Sequence, residues 1–100
     1  MSQIIAFAPR FGAGLTVAPG VASAASLIGL NNKNVRLTNL SATVVVYVRT
    51  GNSGLTATTA DFPLLGNSSI TISKPDDHDY IAYIAPAGGG SLHVIVGEGL

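Results

Sequence analysis

Residues 34–49 read NVRLTNLSATVVVYVR, in which apolar and polar side chains alternate before Ser41-Ala42 and the apolar run Val44–Val48 follows it. An alternation with a period of two residues is typical of a β-strand, because successive side chains of a strand point to opposite faces. A two-residue loop at this point would set Leu37 opposite Val46 and leave one apolar face and one mixed face. The stretch therefore predicts a half-buried antiparallel hairpin.

A second hairpin is predicted from Tyr80–Pro86 and Ser91–Val96, which are joined by the glycine-rich residues 87–90. The glycines suit a turn because glycine readily adopts positive φ angles. A loop over these residues would set Tyr83 opposite Val94. Both faces of this hairpin are fairly apolar, so we expect it to lie centrally or to have a covered outer face.

The remaining strand signals are shorter. Ser69–Ser73 alternates with its two isoleucines pointing inward, and Leu15–Ala18 and part of Ala22–Leu30 are weaker strand candidates. The alanines of Val21–Leu30 leave a helix open there. About seven short strands separated by turn residues are typical of a sandwich or jelly roll. We predict an all-β fold: an antiparallel, jelly-roll-like β-sandwich with an extended N-terminal arm.

The chain of 100 residues is long enough for one domain. Residues 15–100 are predicted to form the single β-sandwich domain, and residues 1–14 the extended N-terminal arm. Residues 50–68 form a long stretch with little periodicity. Loops of that length in a small domain are usually functional or disordered.

Charged residues make up only 10% of the chain, against about 25% in a typical globular protein. The five basic and five acidic residues cancel. Nucleic acid and anionic membrane are therefore not expected partners, because both select a basic surplus. No cysteine is present, which excludes disulfides and cysteine-ligated metal sites. This composition favours a protein whose surface is covered by a partner over a freely soluble monomer.

The N-terminal residues contain no basic segment, and their apolar stretch stops at Pro9, which is too short for a signal peptide. The longest apolar β-type run, Val44–Val48, is too short for a membrane-spanning helix. We therefore expect intracellular synthesis.

The densest polar cluster is Asp76-Asp77-His78-Asp79. Three carboxylates and an imidazole could ligate a divalent cation. Their spacing matches no calcium loop, so the favoured interpretation is a solvated turn after Pro75.

Other polar patterns also lack a catalytic arrangement. Ser91 and His93 would point in parallel from one face of a strand, and no nucleophile elbow is present. Residues 88–90 lack the lysine and the helix of a phosphate loop. Arg36 would lie opposite Tyr47 in the first hairpin, where an ordinary cross-strand cation–π pair is expected. We expect no enzymatic activity, no cofactor and no metal site.

Apolar residues outside the predicted core are more informative, because a soluble monomer does not leave many of them exposed. Either the arm and the long loop fold back over the domain, or they insert into neighbouring subunits. The candidate interface residues are Ile5, Phe7, Arg10, Phe11, Phe62, Leu64 and Leu65.

Three further stretches carry a resemblance: Val35–Leu40 with Thr43–Arg49, Thr56–Pro63 and Leu92–Gly99. Their order of hairpin, Thr/Ala-rich loop, hairpin and Gly-Glu-Gly ending resembles small virion structural proteins of tailed bacteriophages, in particular those that decorate or cement the capsid. The likeness covers residues 34–100.

The resemblance implies a β-sandwich or jelly-roll subunit, often a homotrimer, without catalysis or cofactor. Such a subunit sits on the capsid surface and binds across junctions of the major capsid protein. A head–tail connector or fibre-base subunit is an alternative within the structural class. A carbohydrate-binding or adhesion module that uses Tyr47, Tyr80 or Tyr83 is the alternative from another class.

Overall fold

A computed structural model describes residues 6–99 of the chain, and within them the secondary structure consists of nine β-strands. The strands are β1 (Ala8–Pro9), β2 (Leu15–Val17), β3 (Ala24–Leu27), β4 (Asn34–Asn39), β5 (Val46–Gly51), β6 (Phe62–Leu64), β7 (Ser69–Ser73), β8 (Tyr80–Ile84) and β9 (Leu92–Glu98). None of the described residues is helical, so the helix considered for residues 21–30 is not formed. The described part of the chain accordingly has no helix that could cross a membrane.

The strands form two antiparallel sheets. In the five-stranded sheet, β9 and β4 are central, β7 forms one edge, and both β1 and β2 pair with the other side of β9. In the four-stranded sheet, β8 and β5 are central and β3 and β6 form the edges. The predicted all-β antiparallel architecture is confirmed, with nine strands in place of about seven.

Neither predicted hairpin is formed, although all four segments are strands. β4 pairs with β7 and β9, whereas β5 pairs with β6 and β8 in the other sheet. β8 and β9 also lie in different sheets. Residues 40–45 and 85–91 therefore cross from one sheet to the other, and the predicted pairing partners were wrong.

A buried asparagine lies where the chain leaves β4 and crosses to the other sheet. Asn39 is only 1% exposed, and its Nδ2 donates to the carbonyl oxygens of Val44 at 2.7 Å and Leu64 at 2.9 Å. Its Oδ1 accepts from the backbone nitrogen of Ser41 at 3.0 Å. These bonds join the end of β4 to the 40–45 connection and to β6 in the opposite sheet, and they give the buried amide its partners.

The strand pairs are nested along the chain. β5 pairs with β6, β4 with β7, β3 with β8, and β2 with β9. From β2 onward, only the β5–β6 connection joins two strands that pair with each other. The other connections each run from one sheet to the other.

The core lies between the two sheets. The five-stranded sheet contributes Val35, Leu37, Leu92, Val94 and Val96, and the four-stranded sheet contributes Val46, Val48, Leu64, Ile81 and Tyr83. These residues alternate along their strands with side chains that are more exposed in most positions. The face predicted to be buried is therefore correct on β4 and β5, even though their partners differ. On β8 and β9, where both faces are fairly apolar in the sequence, the structure buries the face that carries Tyr83 and Val94.

The connections gather at two ends of the sandwich. Three connections start at one end: residues 28–33, 52–61 and 74–79. We call it the charged end because these connections hold Lys33, Asp61, Lys74, Asp76, Asp77 and Asp79. Residues 18–23, 40–45, 65–68 and 85–91 lie at the opposite end. They contain no Asp, Glu, Lys, Arg or His, and we call this the uncharged end.

Candidate functional site

The N-terminal segment lies on its own sheet. β1 pairs with the last residues of β9, and the backbone nitrogen of Arg10 donates to Val96 at 2.8 Å. The ring of Phe7 covers Gly97, where an added Cβ would lie 2.8 Å from the ring. Residues 7–10 thus follow the folding-back alternative. Ile5 lies outside the described residues.

Arg36 contacts this segment and not the tyrosine expected from the sequence. Its guanidinium carbon lies 5.2 Å from the centre of the Phe7 ring, and its Nε donates to Thr71 Oγ1 at 2.8 Å. Tyr47 lies in the other sheet. The predicted Arg36–Tyr47 pair was wrong because it depended on the first hairpin.

The long loop after β5 also packs on its own domain. Leu55 covers Gly51, where an added Cβ would lie 2.8 Å from the Leu55 Cδ1. The backbone nitrogen of Ala57 donates to Ser23 Oγ at 2.8 Å, next to the start of β3. Because β5 and β3 are separated by β8, residues 52–61 extend across the outer face of the four-stranded sheet.

This cover explains a buried residue on the outward-facing side of β8. Ala82 alternates with the core residues Ile81 and Tyr83, yet it is fully buried. Its neighbour on β5 is Arg49, whose Nε lies 3.8 Å from Asp61 Oδ1. The chain's own loop therefore covers the outer face of this sheet around Ala82.

The three candidate interface residues after the loop have different positions. Leu64 is part of the core, which corrects its prediction as an interface residue. Phe62 and Leu65 are exposed. Leu65 directly follows Leu64 and therefore faces away from the core, because successive residues of a strand face opposite directions. Phe62 lies two residues before Leu64, on the same face of the edge strand β6, so alternation does not account for its exposure.

The acidic cluster forms a turn, as favoured from the sequence. The backbone nitrogen of His78 donates to the Pro75 carbonyl at 3.0 Å, and His78 Nδ1 lies 2.9 Å from Thr50 Oγ1. Asn52 Nδ2 donates to the carbonyl of Asp77 at 2.6 Å. Within residues 6–99 no three His, Asp or Glu side chains are grouped closely enough to hold a metal ion.

The other polar patterns are accounted for by local structure. The ring of His93 lies over Gly14, where an added Cβ would be 2.8 Å from its Nε2. Gly88 and Gly89 have φ angles of 74° and 68°, in a turn that crosses between the sheets. Tyr83 is buried and its hydroxyl lies 2.6 Å from Ser26 Oγ, so it offers no exposed ring to a sugar.

The most distinctive surface feature is a set of large apolar side chains that stay exposed by 44–88%. The set comprises Phe11, Val21, Leu27, Leu30, Leu40, Phe62 and Leu65. Phe11, Phe62 and Leu65 were predicted from the sequence. Val21, Leu27, Leu30 and Leu40 were missed. Leu27 ends strand β3, whereas the other three are apolar residues in connections rich in Gly, Ala, Ser or Asn, which is a signal the sequence carries.

One groove opens between the β2 edge of one sheet and the β3 edge of the other. Its volume is about 390 Å³, and residues from the arm connection, both sheets and the end of β3 line it. The lining residues are Arg10, Phe11, Gly12, Ala13, Leu15, Leu27, Ile28, Val94 and Val96. Two of the most exposed apolar side chains, Phe11 and Leu27, lie at this groove.

The chain matches no protein-family model and no curated protein. Among solved structures, it is similar to a protein of Bacillus endospore appendages, described as a novel family of disulfide-linked pili. The two chains are 11% identical, and the superposition has a TM-score of 0.53 over 98% of this chain and 92% of that chain.

A de novo designed double-stranded β-helix is also similar. It is 15% identical, with a TM-score of 0.47 over 85% of this chain and 95% of that chain. At 11% identity, the likeness to the Bacillus protein shows that the two chains share a β-fold.

Proposed function

We propose that this chain is a non-enzymatic structural subunit that assembles with copies of itself through noncovalent contacts. The observation that carries the proposal is the set of large apolar side chains exposed on a domain with only 10% charged residues. Exposed apolar patches mark interaction sites on soluble proteins. Low charge removes the repulsion that keeps copies apart.

The fold shared with a Bacillus appendage protein supports a structural role, because that protein is described as part of a pilus. Contacts between copies of this chain would differ from those in the Bacillus pili in one respect. It contains no cysteine, so the disulfide links of those pili are not available to it. Its contacts with other copies would depend on apolar burial and shape.

Within the structural class we propose a virion protein that decorates or cements the capsid. Residues 34–100 resemble such proteins of tailed bacteriophages, which implies a homotrimer bound across junctions of the major capsid protein at the capsid surface. Repetition of weak contacts by symmetry would give strong attachment. An appendage subunit that forms filaments is the second candidate, favoured by the shared fold.

Light scattering of the purified chain over a concentration series tests the proposal. We expect a stable multiple of the mass of one chain, and a monomer at every concentration would contradict self-assembly. Electron microscopy of the same samples separates the two candidates, since discrete particles fit a decoration protein and filaments fit an appendage. Co-sedimentation with empty capsids of the same virus then tests cementing directly.

A further inference from the structure

The uncharged end of the sandwich combines a lack of charged residues with large apolar side chains that are exposed. Its four connections, residues 18–23, 40–45, 65–68 and 85–91, consist only of Ala, Gly, Ser, Thr, Asn, Pro, Val and Leu. Large apolar side chains project from three of them. Val21 is 70% exposed, Leu65 is 61% exposed and Leu40 is 51% exposed.

Hydrogen bonds hold these connections together as one surface. The backbone nitrogen of Asn67 donates to the Ser41 carbonyl at 2.9 Å, and that of Leu40 donates to Ser91 at 2.9 Å. Ser41 Oγ donates to the Gly89 carbonyl at 3.3 Å. A surface that is ordered before binding loses little conformational entropy when a partner covers it.

We propose that this uncharged end is the surface through which one copy of the chain contacts the same end of a second copy. The inference rests on the proposed function, because it assumes that the chain self-assembles. It adds which surface is used and which surface it meets. A contact between identical surfaces joins copies in pairs, so a trimer or a filament would need a second surface as well.

The distribution of charge favours the uncharged end of the second copy as the surface that is contacted. The charged end holds three aspartates and a lysine on the 74–79 connection alone. Packing that end against an uncharged surface would remove water from Asp76 and Asp77 without supplying an opposite charge, which is strongly unfavourable. Two uncharged ends in contact bury apolar area and desolvate no charge.

Charge variants at Leu65 test the inference. Leu65→Asp and Leu65→Lys each place like charges against each other when two uncharged ends meet, so each variant alone should associate at least about tenfold more weakly. An equal mixture of the two variants should recover association, because the Asp of one copy then faces the Lys of another. Sedimentation velocity of each variant and of the mixture measures this.

Leu30→Asp and Leu30→Lys are the matched controls, because Leu30 is 54% exposed at the charged end. We expect both to associate like the wild type. Circular dichroism and the melting temperature show whether each variant is folded. If the Leu65 variants are not folded, Leu40→Asp and Leu40→Lys take their place in the experiment.

The outcomes separate this inference from the proposed function. A wild-type chain that stays monomeric overturns both. Wild-type oligomers that persist in Leu65→Asp and dissociate in Leu30→Asp overturn only the inference. Weakened association that the Asp–Lys mixture does not restore also overturns it, since the uncharged end would then meet a different surface.

Discussion

The ring of Phe7 occupies the space that a side chain at position 97 would need. A Cβ on Gly97 would lie 2.8 Å from both Cε1 and Cζ of that ring and would also press on the carbonyl oxygen of Ala8. The guanidinium of Arg36 lies against the same ring. Gly97 is therefore the point at which the N-terminal segment closes on the five-stranded sheet.

Gly97→Ala should destabilise the protein, because the new methyl group meets backbone as well as a ring. We expect the free energy of unfolding to fall by about 1–3 kcal/mol, as for other overpacked sites. Urea unfolding measures the change. Gly20→Ala is the control, since no atom lies within 4 Å of its added Cβ, and it should cause no loss. Equal stability of the two variants would show that the N-terminal segment moves away at no cost.

Asn39→Ala should cost more than an average polar substitution. It removes the partners of two carbonyl oxygens and one backbone nitrogen around a residue that is 1% exposed. Each buried group left without a partner costs about 1–3 kcal/mol. Chemical unfolding should show a loss of at least about 2 kcal/mol. Asn32→Ala removes an exposed bond of 3.4 Å and should change little. A small effect at both positions would mean that water replaces the amide of Asn39.

Tyr83→Phe tests the bond between β8 and β3. The Tyr83 hydroxyl lies 2.6 Å from Ser26 Oγ, and its loss should lower the free energy of unfolding by about 0.5–1.5 kcal/mol. Tyr47→Phe is the matched control, because the described residues offer the Tyr47 hydroxyl no side-chain hydrogen bond. Thermal unfolding of both variants measures the difference. If Tyr47→Phe were the more destabilising, the bond to Ser26 would not stabilise the edge strand.

Deletion of residues 1–13 should leave a folded sandwich and weaken assembly. β2 keeps its own pairing with β9, so most of the sheet is retained, whereas Phe7 no longer covers Gly97 and Phe11 is lost. Circular dichroism tests folding, and co-sedimentation with empty capsids tests binding. A shorter deletion of residues 1–6 keeps Phe7 and Phe11. Unchanged binding after the longer deletion would remove this segment from the interface.

Arg49→Gln should change stability very little. Its ion pair with Asp61 is 3.8 Å long and its side chain is half exposed, and surface pairs contribute about 0–1 kcal/mol. We expect a melting temperature close to that of the wild type, at low salt and at about 1 M NaCl, where surface charges are screened. A large loss that is seen only at low salt would show that the pair holds the 52–61 loop.

The buried faces of β4 and β5 could be predicted from the sequence, and the strands that pair with them could not. Leu37 and Val46 were predicted to point inward, and both lie in the core. Two strands that pair within a sheet and two strands that face each other across a sandwich both place their apolar sides inward. Alternation along the chain therefore does not distinguish these arrangements.

The candidate interface residues also differ in how much of their position the sequence indicates. Phe11 and Leu65, two of the candidate interface residues, are exposed. Apolar residues in loops such as these stand out in a sequence. Leu64 proved to be buried, since its place depends on pairing with β5. The uncharged end escaped prediction because its four connections are far apart in the sequence and meet only after the chain has crossed between sheets several times.

The sequence by itself determined the two-residue alternation of side chains along the strands, the all-β class, the low charge and the absence of cysteine. These are local or compositional properties. Only the tertiary structure decided which strands pair, that the 52–61 loop covers one sheet, and that four uncharged connections meet at one end. Those features depend on contacts between distant residues, such as Asn39 with Leu64 and Phe7 with Gly97. Local alternation carries no information about such contacts.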